Sequence, residues 1–263
     1  MITPDTYRNL YNLDGKVALV AGGAGGIGRA VCEGLAAFGA TVLIGEQNCC
    51  LKADPLAGEI SAAGGQAHAV TLDVLNIPQL GPVMSELVAH FGRIDILVNC
   101  TGTHKEAPAE EFSEEDWDRV VDLNLKAAFF LSQAVARLQI AQKSGGKHIH
   151  ISSVRSLLGI RRGYIAYCSS KGGLNLMIKQ LATEWAKHNI TVNGIAPTFT
   201  RTELVKDYLE DPNFYNPLVA RIPLGRICEP LDLAALAIYL AAPAADFITG
   251  QIIFADGGVT ATQ

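Results

Sequence analysis

Tyr167 and Lys171 stand four apart in Tyr167-Cys168-Ser169-Ser170-Lys171, a spacing that puts both on one face of a helix. A free phenol titrates near pH 10 and is a poor base at neutrality. A neighbouring ammonium favours the phenolate and brings it toward the range where proton transfer is efficient, so the pair suits acid–base work on a hydroxyl or carbonyl. A second cluster, Ala21-Gly22-Gly23-Ala24-Gly25-Gly26-Ile27-Gly28, follows the apolar run Val17–Val20. It leads into a segment with Ile27, Val31, Leu35 and Phe38 at helical spacing. A glycine-rich turn from strand to helix lets the backbone approach a pyrophosphate and presents that anion to the unpaired N–H groups of the helix start. Glu46 closes the next apolar run, 18 residues beyond Gly28. A carboxylate there accepts hydrogen bonds from the adenosine ribose hydroxyls and repels a 2′-phosphate, so NAD is expected rather than NADP; the alternative is a solvated loop acid.

These groups need elements to hold them. Short apolar or β-branched runs are expected as strands at Lys16–Ala21, Thr41–Gly45, Ala67–Leu72, Ile94–Asn99, Lys147–Ser152, Thr191–Ala196 and Gln251–Ala255. Most are continuous rather than alternating, which suits strands buried on both faces of a parallel sheet. Helical segments are expected near 26–38, 55–64, 76–91, 113–143, 164–188 and 230–241, the fourth opened by Ser113 as a cap with Asp116 reaching back to it. Strand–helix alternation with crossovers of this length specifies βαβ units: an α/β fold with a doubly wound, seven-stranded parallel sheet, Rossmann-like, in a single domain spanning 1–263. Residues 1–12 form an N-terminal extension. The stretch 198–230 is the longest irregular one and holds Phe199, Tyr208, Phe214 and Tyr215 among four prolines. It is read as a substrate lid in preference to an inert excursion.

Composition narrows the class. Of 263 residues, 49% are apolar and 18% charged, enough to fill a core and too little charge for a disordered chain. A net charge of -5 argues against non-specific nucleic-acid binding, which needs a basic surface. No apolar stretch reaches membrane-spanning length, and Met1 to Asn12 lacks the apolar region of a secretory signal, so a cytoplasmic location away from membranes is expected. The six cysteines make no C-x-x-C pair and are read as reduced thiols. His148 and His150 share a strand face without a third ligand, so no metal is expected.

Together, Val17–Gly28 and Tyr167–Lys171 resemble the short-chain dehydrogenase/reductase family, in its single-domain branch, and the likeness runs from about Leu13 to Val259. The resemblance implies cofactor contacts from Gly22, Gly25, Gly26, Ile27 and Gly28, from Glu46, from Asp73-Val74, and from Asn99, Thr101 and Gly102. It adds Tyr167, Lys171, Pro197, Thr200 and Thr202 to the same site. It also implies a catalytic set of Asn124, Ser153, Tyr167 and Lys171. Tyr167 is the acid/base, and Lys171 binds the nicotinamide ribose and lowers the Tyr167 pKa. Asn124 holds a relay water, and Ser153 bonds the substrate oxygen. Ala21, Cys100 and Thr198 depart from the family pattern, and Ser153 lies 14 residues before Tyr167 where 13 is usual, which keeps Ser152 open as the alternative.

The wording from Phe112 to Leu204 is similar to gluconate 5-dehydrogenase-like enzymes of the family. This implies NAD-dependent hydride transfer between nicotinamide and a secondary alcohol or ketone, on a sugar, sugar acid or polyol. A 3-oxoacyl-thioester reductase and a non-catalytic cofactor-binding protein remain as alternatives. Around the expected pocket, His104, Lys105, Arg155, Arg161, Arg162 and Arg201 form a basic rim that suits an anionic substrate or is solvated surface charge. The resemblance further implies a homotetramer or homodimer.

Overall fold

The computed structural model describes residues 3–262, the side chains of Cys50 and Leu204 excepted. Met1, Ile2 and Gln263, the outermost residues of the expected extension and domain, lie outside the described residues. Seven parallel strands form one sheet: β1 (Val17–Ala21), β2 (Thr41–Glu46), β3 (Gln66–Thr71), β4 (Ile96–Asn99), β5 (Gly146–Ile151), β6 (Ile190–Pro197) and β7 (Ile252–Ala255). Their order is β3-β2-β1-β4-β5-β6-β7. The chain thus winds outward in one direction from β1, then returns and winds the other way from β4. Between those two strands a crevice opens above their carboxyl ends, where α/β sheets bind ligands.

The central strands β1, β4 and β6 are buried along their whole length, which explains their unbroken apolar runs. The edge strand β3 alternates instead, with Gln66, His68 and Thr71 exposed. The helices are α1 (Pro4–Asn9), α2 (Gly26–Ala37), α3 (Cys49–Ala62), α4 (Ile77–Phe91), α5 (Glu114–Val121), α6 (Ala127–Gln142), α7 (Ile165–Trp185), α8 (Lys206–Glu210), α9 (Pro212–Val219) and α10 (Pro230–Ala241). On one sheet face α2 and α10 bury Val31, Leu35, Leu233 and Ala237 against Val20, Val42 and Ile149. On the other, α4 and α6 bury Leu80, Met84 and Leu131 against Leu19, Leu43 and Leu97. Each fully buried side chain of this size contributes about 2 kcal/mol.

Several expectations shift. The third helix begins at Cys49, not 55, so Cys49 and Cys50 lie in its first turn and not in a loop; Pro55 sits inside it, where the carbonyl it leaves unpaired belongs to exposed Leu51. The expected helix 113–143 is α5 and α6 joined by a π-helical turn, Asp122–Lys126. Ser113 does cap α5, accepting from the Asp116 N–H at 3.1 Å, but the Asp116 carboxylate turns to Arg119 and Lys105. The stretch 198–230 is irregular only in part, for its middle folds into α8 and α9. Its two ends are tied together where Arg201 N–H donates to the Cys228 carbonyl and Cys228 N–H to that of Phe199. Short α1 was not anticipated; Thr3 caps it.

Candidate active site

The glycine turn takes its shape from sterics. Gly22 has φ +71°, the left-handed region that favours glycine, and a methyl group added at Gly28 would run into the Gly22 carbonyl. One at Gly26 would stand 2.6 Å from Cγ2 of Thr202. The bare backbone of this cradle, at the start of α2, therefore fits a pyrophosphate. At its rim the Glu46 carboxylate accepts a 2.8 Å hydrogen bond from the Ala24 N–H. Farther along the same edge, the Asp73 carboxylate accepts from Gln47 Nε2 and the Leu75 N–H. The residues present fit a dinucleotide.

Beside the cradle lies a cleft of about 1040 Å³, its open mouth included. Ile27, Thr101, Gly102, Ser153, Tyr167, Lys171, Pro197, Thr200 and Thr202, all expected from the sequence, line it. Asn99 supports from behind, its Oδ1 accepting from the hydroxyl and N–H of Thr101. Gly22, Gly25, Gly26, Gly28, Glu46, Asp73 and Val74 belong to the glycine cradle and its edge and are not part of this cleft wall.

Lys171 is buried, and its Nζ donates to the Ile151 carbonyl at 2.8 Å while lying 5.8 Å from the centre of the Tyr167 ring. Burial presses its pKa down to about 8, with Cys100 opposing. Burial holds the Tyr167 phenol above its ordinary value. Hydrogen bonding with Ser153 pulls it back, Cys168 adds to the rise, and the charge of Arg155 lowers it. The Lys171 ammonium is directed at the Ile151 carbonyl, and the groups that oppose the effect of burial on the phenol are Ser153 and Arg155.

Both serines border the cleft, and they differ in what their hydroxyls engage. Ser152 points to α7, its hydroxyl donating to Asn175 Oδ1 at 2.6 Å, on the strand face that also carries His148 and His150. Ser153, just past the end of β5, faces the cleft and accepts from the Arg155 N–H at 3.1 Å. Asn124 sits within the π-helical turn, fully buried. Its side chain is committed: Nδ2 donates to the Thr103 carbonyl and to Ser170 Oγ, while Oδ1 accepts from the Thr103 N–H. The three bonds leave the amide occupied by protein partners. Gly102 keeps the space between Asn124 and Lys171 open: a methyl group there would stand 3.3 Å from Asn124 Oδ1 and 3.5 Å from Lys171 Nζ.

Half of the expected basic rim is neutralised. Arg162 grips Glu106 with two hydrogen bonds, at 3.1 and 3.0 Å, and Glu106 also accepts from the Tyr164 hydroxyl. The Arg162 guanidinium lies over the rings of Phe214 and Tyr208, at 5.0 and 5.3 Å, and so ties α8 and α9 to the cleft wall. Lys105 pairs with Asp116 and Arg201 with Glu229. Glu106, Tyr164, Ser170 and Asn175 were not anticipated. Their partners lie 3 to 58 residues away in sequence (Tyr164–Glu106 being the longest span), and only Ser170, inside the Tyr–Lys segment, carried a local signal. Of the histidines, His104 packs against the rings of Tyr164 and Tyr167, whereas His148 and His150 are buried under α6 and α7, bonded to Gln139 and Ser132.

Comparison with known proteins places this geometry. A family model described as Enoyl-(Acyl carrier protein) reductase matches residues 22–260. A 2-dehydro-3-deoxy-D-gluconate 5-dehydrogenase from Dickeya dadantii (strain 3937) is 39% identical over 250 residues, 95% of this chain and 97% of that protein. A tropinone reductase homolog from Arabidopsis thaliana is 40% identical over 256 residues, 95% of this chain and 94% of that one. The crystal structure of a gluconate 5-dehydrogenase from Burkholderia cenocepacia J2315, in complex with NADP and tartrate, superposes with a TM-score of 0.92 at 37% identity, covering 97% of this chain and 99% of that one.

Proposed function

The chain belongs to the short-chain dehydrogenase/reductase family, and on that premise we propose that it is an oxidoreductase interconverting a secondary hydroxyl and a ketone on a sugar acid, with NAD(H) preferred. The observation that carries the reading is the convergence of Tyr167, Ser153 and Lys171 on one cleft beside a glycine cradle. The Tyr167 hydroxyl moves a proton to or from the substrate oxygen. Ser153 bonds the same oxygen and favours the phenolate of Tyr167. Lys171 holds the nicotinamide ribose, and the Asn124 turn positions the loop that carries Thr103 and Gly102. When bound, the nicotinamide ring supplies the site that takes or gives the hydride.

The substrate class draws support from the sugar-acid dehydrogenases similar to this chain. The Burkholderia relative is in complex with NADP. The preference for NAD in this chain rests on Glu46, whose carboxylate stands where a 2′-phosphate would have to pass. A second reading, reduction of an acyl thioester, draws on the description of the family model. A cleft walled by Arg155, His104 and Tyr164 suits hydroxyls and a carboxylate better than an acyl chain. The same likeness supports a homotetramer or homodimer, with Leu176 of α7 and Trp117 of α5 available on exposed helix faces. A monomer in light scattering at micromolar concentration would overturn that assembly.

The test is a screen of aldonates, polyols and oxoacyl thioesters with NAD(H) and NADP(H), read at the absorbance of the reduced nicotinamide. Turnover of aldonates or their keto forms is expected. Turnover of acyl thioesters alone would reverse the assignment.

A further inference from the structure

The pairing of the basic rim leaves one guanidinium on the cleft wall without an acid, that of Arg155. Three permanently charged or ammonium groups line the cleft: Lys171, Arg162 and Arg155. Lys171 bonds the Ile151 carbonyl and Arg162 is neutralised by Glu106. Among the described residues, no carboxylate lies within ion-pair distance of Arg155. Its side chain makes one hydrogen bond, from Nη1 to the Gly159 carbonyl at 3.0 Å. A guanidinium carries five N–H donors in a planar fork matched to a carboxylate, and at Arg155, on the cleft wall, one of them is used.

Arg155 is also fixed in place and surrounded unfavourably for an unpaired charge. Its backbone N–H bonds Ser153 Oγ, which holds it two residues from the group assigned to the reacting oxygen. Burial disfavours its charged form, and Arg221, just past the end of α9, adds like-charge repulsion from the lid side. A guanidinium that lines a cleft and has no acid paired to it is an arrangement that a bound anion relieves. Of the remaining rim cations, Lys105 and Arg201 already hold Asp116 and Glu229, and Arg161 does not line the cleft.

We propose that Arg155 is the specificity-determining residue that receives the carboxylate of the sugar-acid substrate, placing it a short carbon chain away from the hydroxyl or ketone held by Ser153 and Tyr167. This rests on the sugar-acid reading and sharpens it. Arg162, by contrast, serves the lid and not the substrate.

The test is calorimetric titration of the NADH-bound enzyme with gluconate and with neutral sorbitol, for the wild type, R155Q and R155K. The wild type is expected to bind gluconate more tightly than sorbitol. R155Q should weaken gluconate about 10- to 100-fold, the range for a hydrogen bond to a charged group, with sorbitol changing far less. R155K should recover part of the loss. A wild type that binds gluconate no better than sorbitol overturns the proposal, as does an equal effect of R155Q on both ligands or on neither. Turnover separates this from the broader reading. Gluconate bound through Arg155 without any aldonate oxidised would remove the substrate class and leave the anion site. Aldonates turned over equally well by R155Q would remove the anion site and leave the substrate class.

Discussion

The carboxylate of Glu46 at the end of β2 holds the backbone N–H of Ala24 in the glycine turn at 2.8 Å, so the acid is part of the cradle and not a solvated loop residue. A phosphate on the adenosine ribose would meet a fixed negative charge. At a few ångströms, repulsion of this kind is worth about 1 to 4 kcal/mol at surface dielectrics. The wild type should therefore use NAD with a kcat/KM about 10- to 1000-fold above that for NADP, and Glu46→Ala should narrow the ratio at least tenfold. Steady-state kinetics with both cofactors decide it; a wild-type preference for NADP would show that the carboxylate moves aside.

Ser153 and Tyr167 are linked through proton affinity as well as position. Hydrogen bonding with Ser153 favours the phenolate, so Ser153→Ala should raise the Tyr167 pKa beyond the rise that burial already causes. In alcohol oxidation, where the phenolate is the base, the acidic limb of the kcat/KM profile should move to higher pH. The plateau should fall about 100- to 1000-fold with the lost stabilisation of the substrate oxygen. An unmoved limb in the variant would detach Ser153 from the phenol.

The lid depends on one guanidinium. Arg162 binds Glu106 on one side and the Phe214 and Tyr208 rings on the other. Each cation–π contact is worth about 0.5 to 2 kcal/mol. Arg162→Ala should speed hydrogen exchange in Lys206–Val219 by about tenfold and raise KM, while the sheet keeps its protection. Unchanged exchange in α8 and α9 would mean that the lid is held elsewhere.

His148 and His150 make stability depend on pH. Burial lowers both pKa values from 6.5 to about 3, so the folded chain keeps them neutral. The unfolded chain takes up protons below about pH 6.5, and stability is lost as pH falls from there toward 3. Each histidine contributes a slope of about 1.4 kcal/mol per pH unit. Denaturant unfolding at pH 7, 6 and 5 should show this loss. His150→Gln, which keeps a partner for Ser132, should reduce the slope by about one histidine's share; an identical slope would refute the assignment.

What the sequence made legible was what local sterics and periodicity dictate. The glycine turn needs residues without Cβ, and the buried strands need unbroken apolar runs. Helix α10, opened by Pro230, follows its expected bounds. The π-turn at Asp122–Lys126 was not legible, because Asp-Leu-Asn-Leu-Lys reads as ordinary helix and the distortion exists to seat Asn124 against Thr103, 21 residues away. The basic rim misled for a related reason. Arg162 looked free until folding brought Glu106 to it across 56 residues. Charge neutralisation of that kind is tertiary, and no local pattern announces it. The bond that engages the Ser152 hydroxyl likewise depends on Asn175 on α7, 23 residues away.

The account stands most directly on Tyr167. Reduced-nicotinamide absorbance should be followed with the best aldonate or keto-acid substrate for the wild type and Tyr167→Phe, alongside NADH binding by fluorescence. The variant is expected to lose turnover by about 1000-fold or more, within the range of general acid–base catalysis combined with loss of a positioned hydroxyl, while binding NADH as the wild type does. Undiminished turnover in Tyr167→Phe would place the chemistry on another group and contradict the assignment.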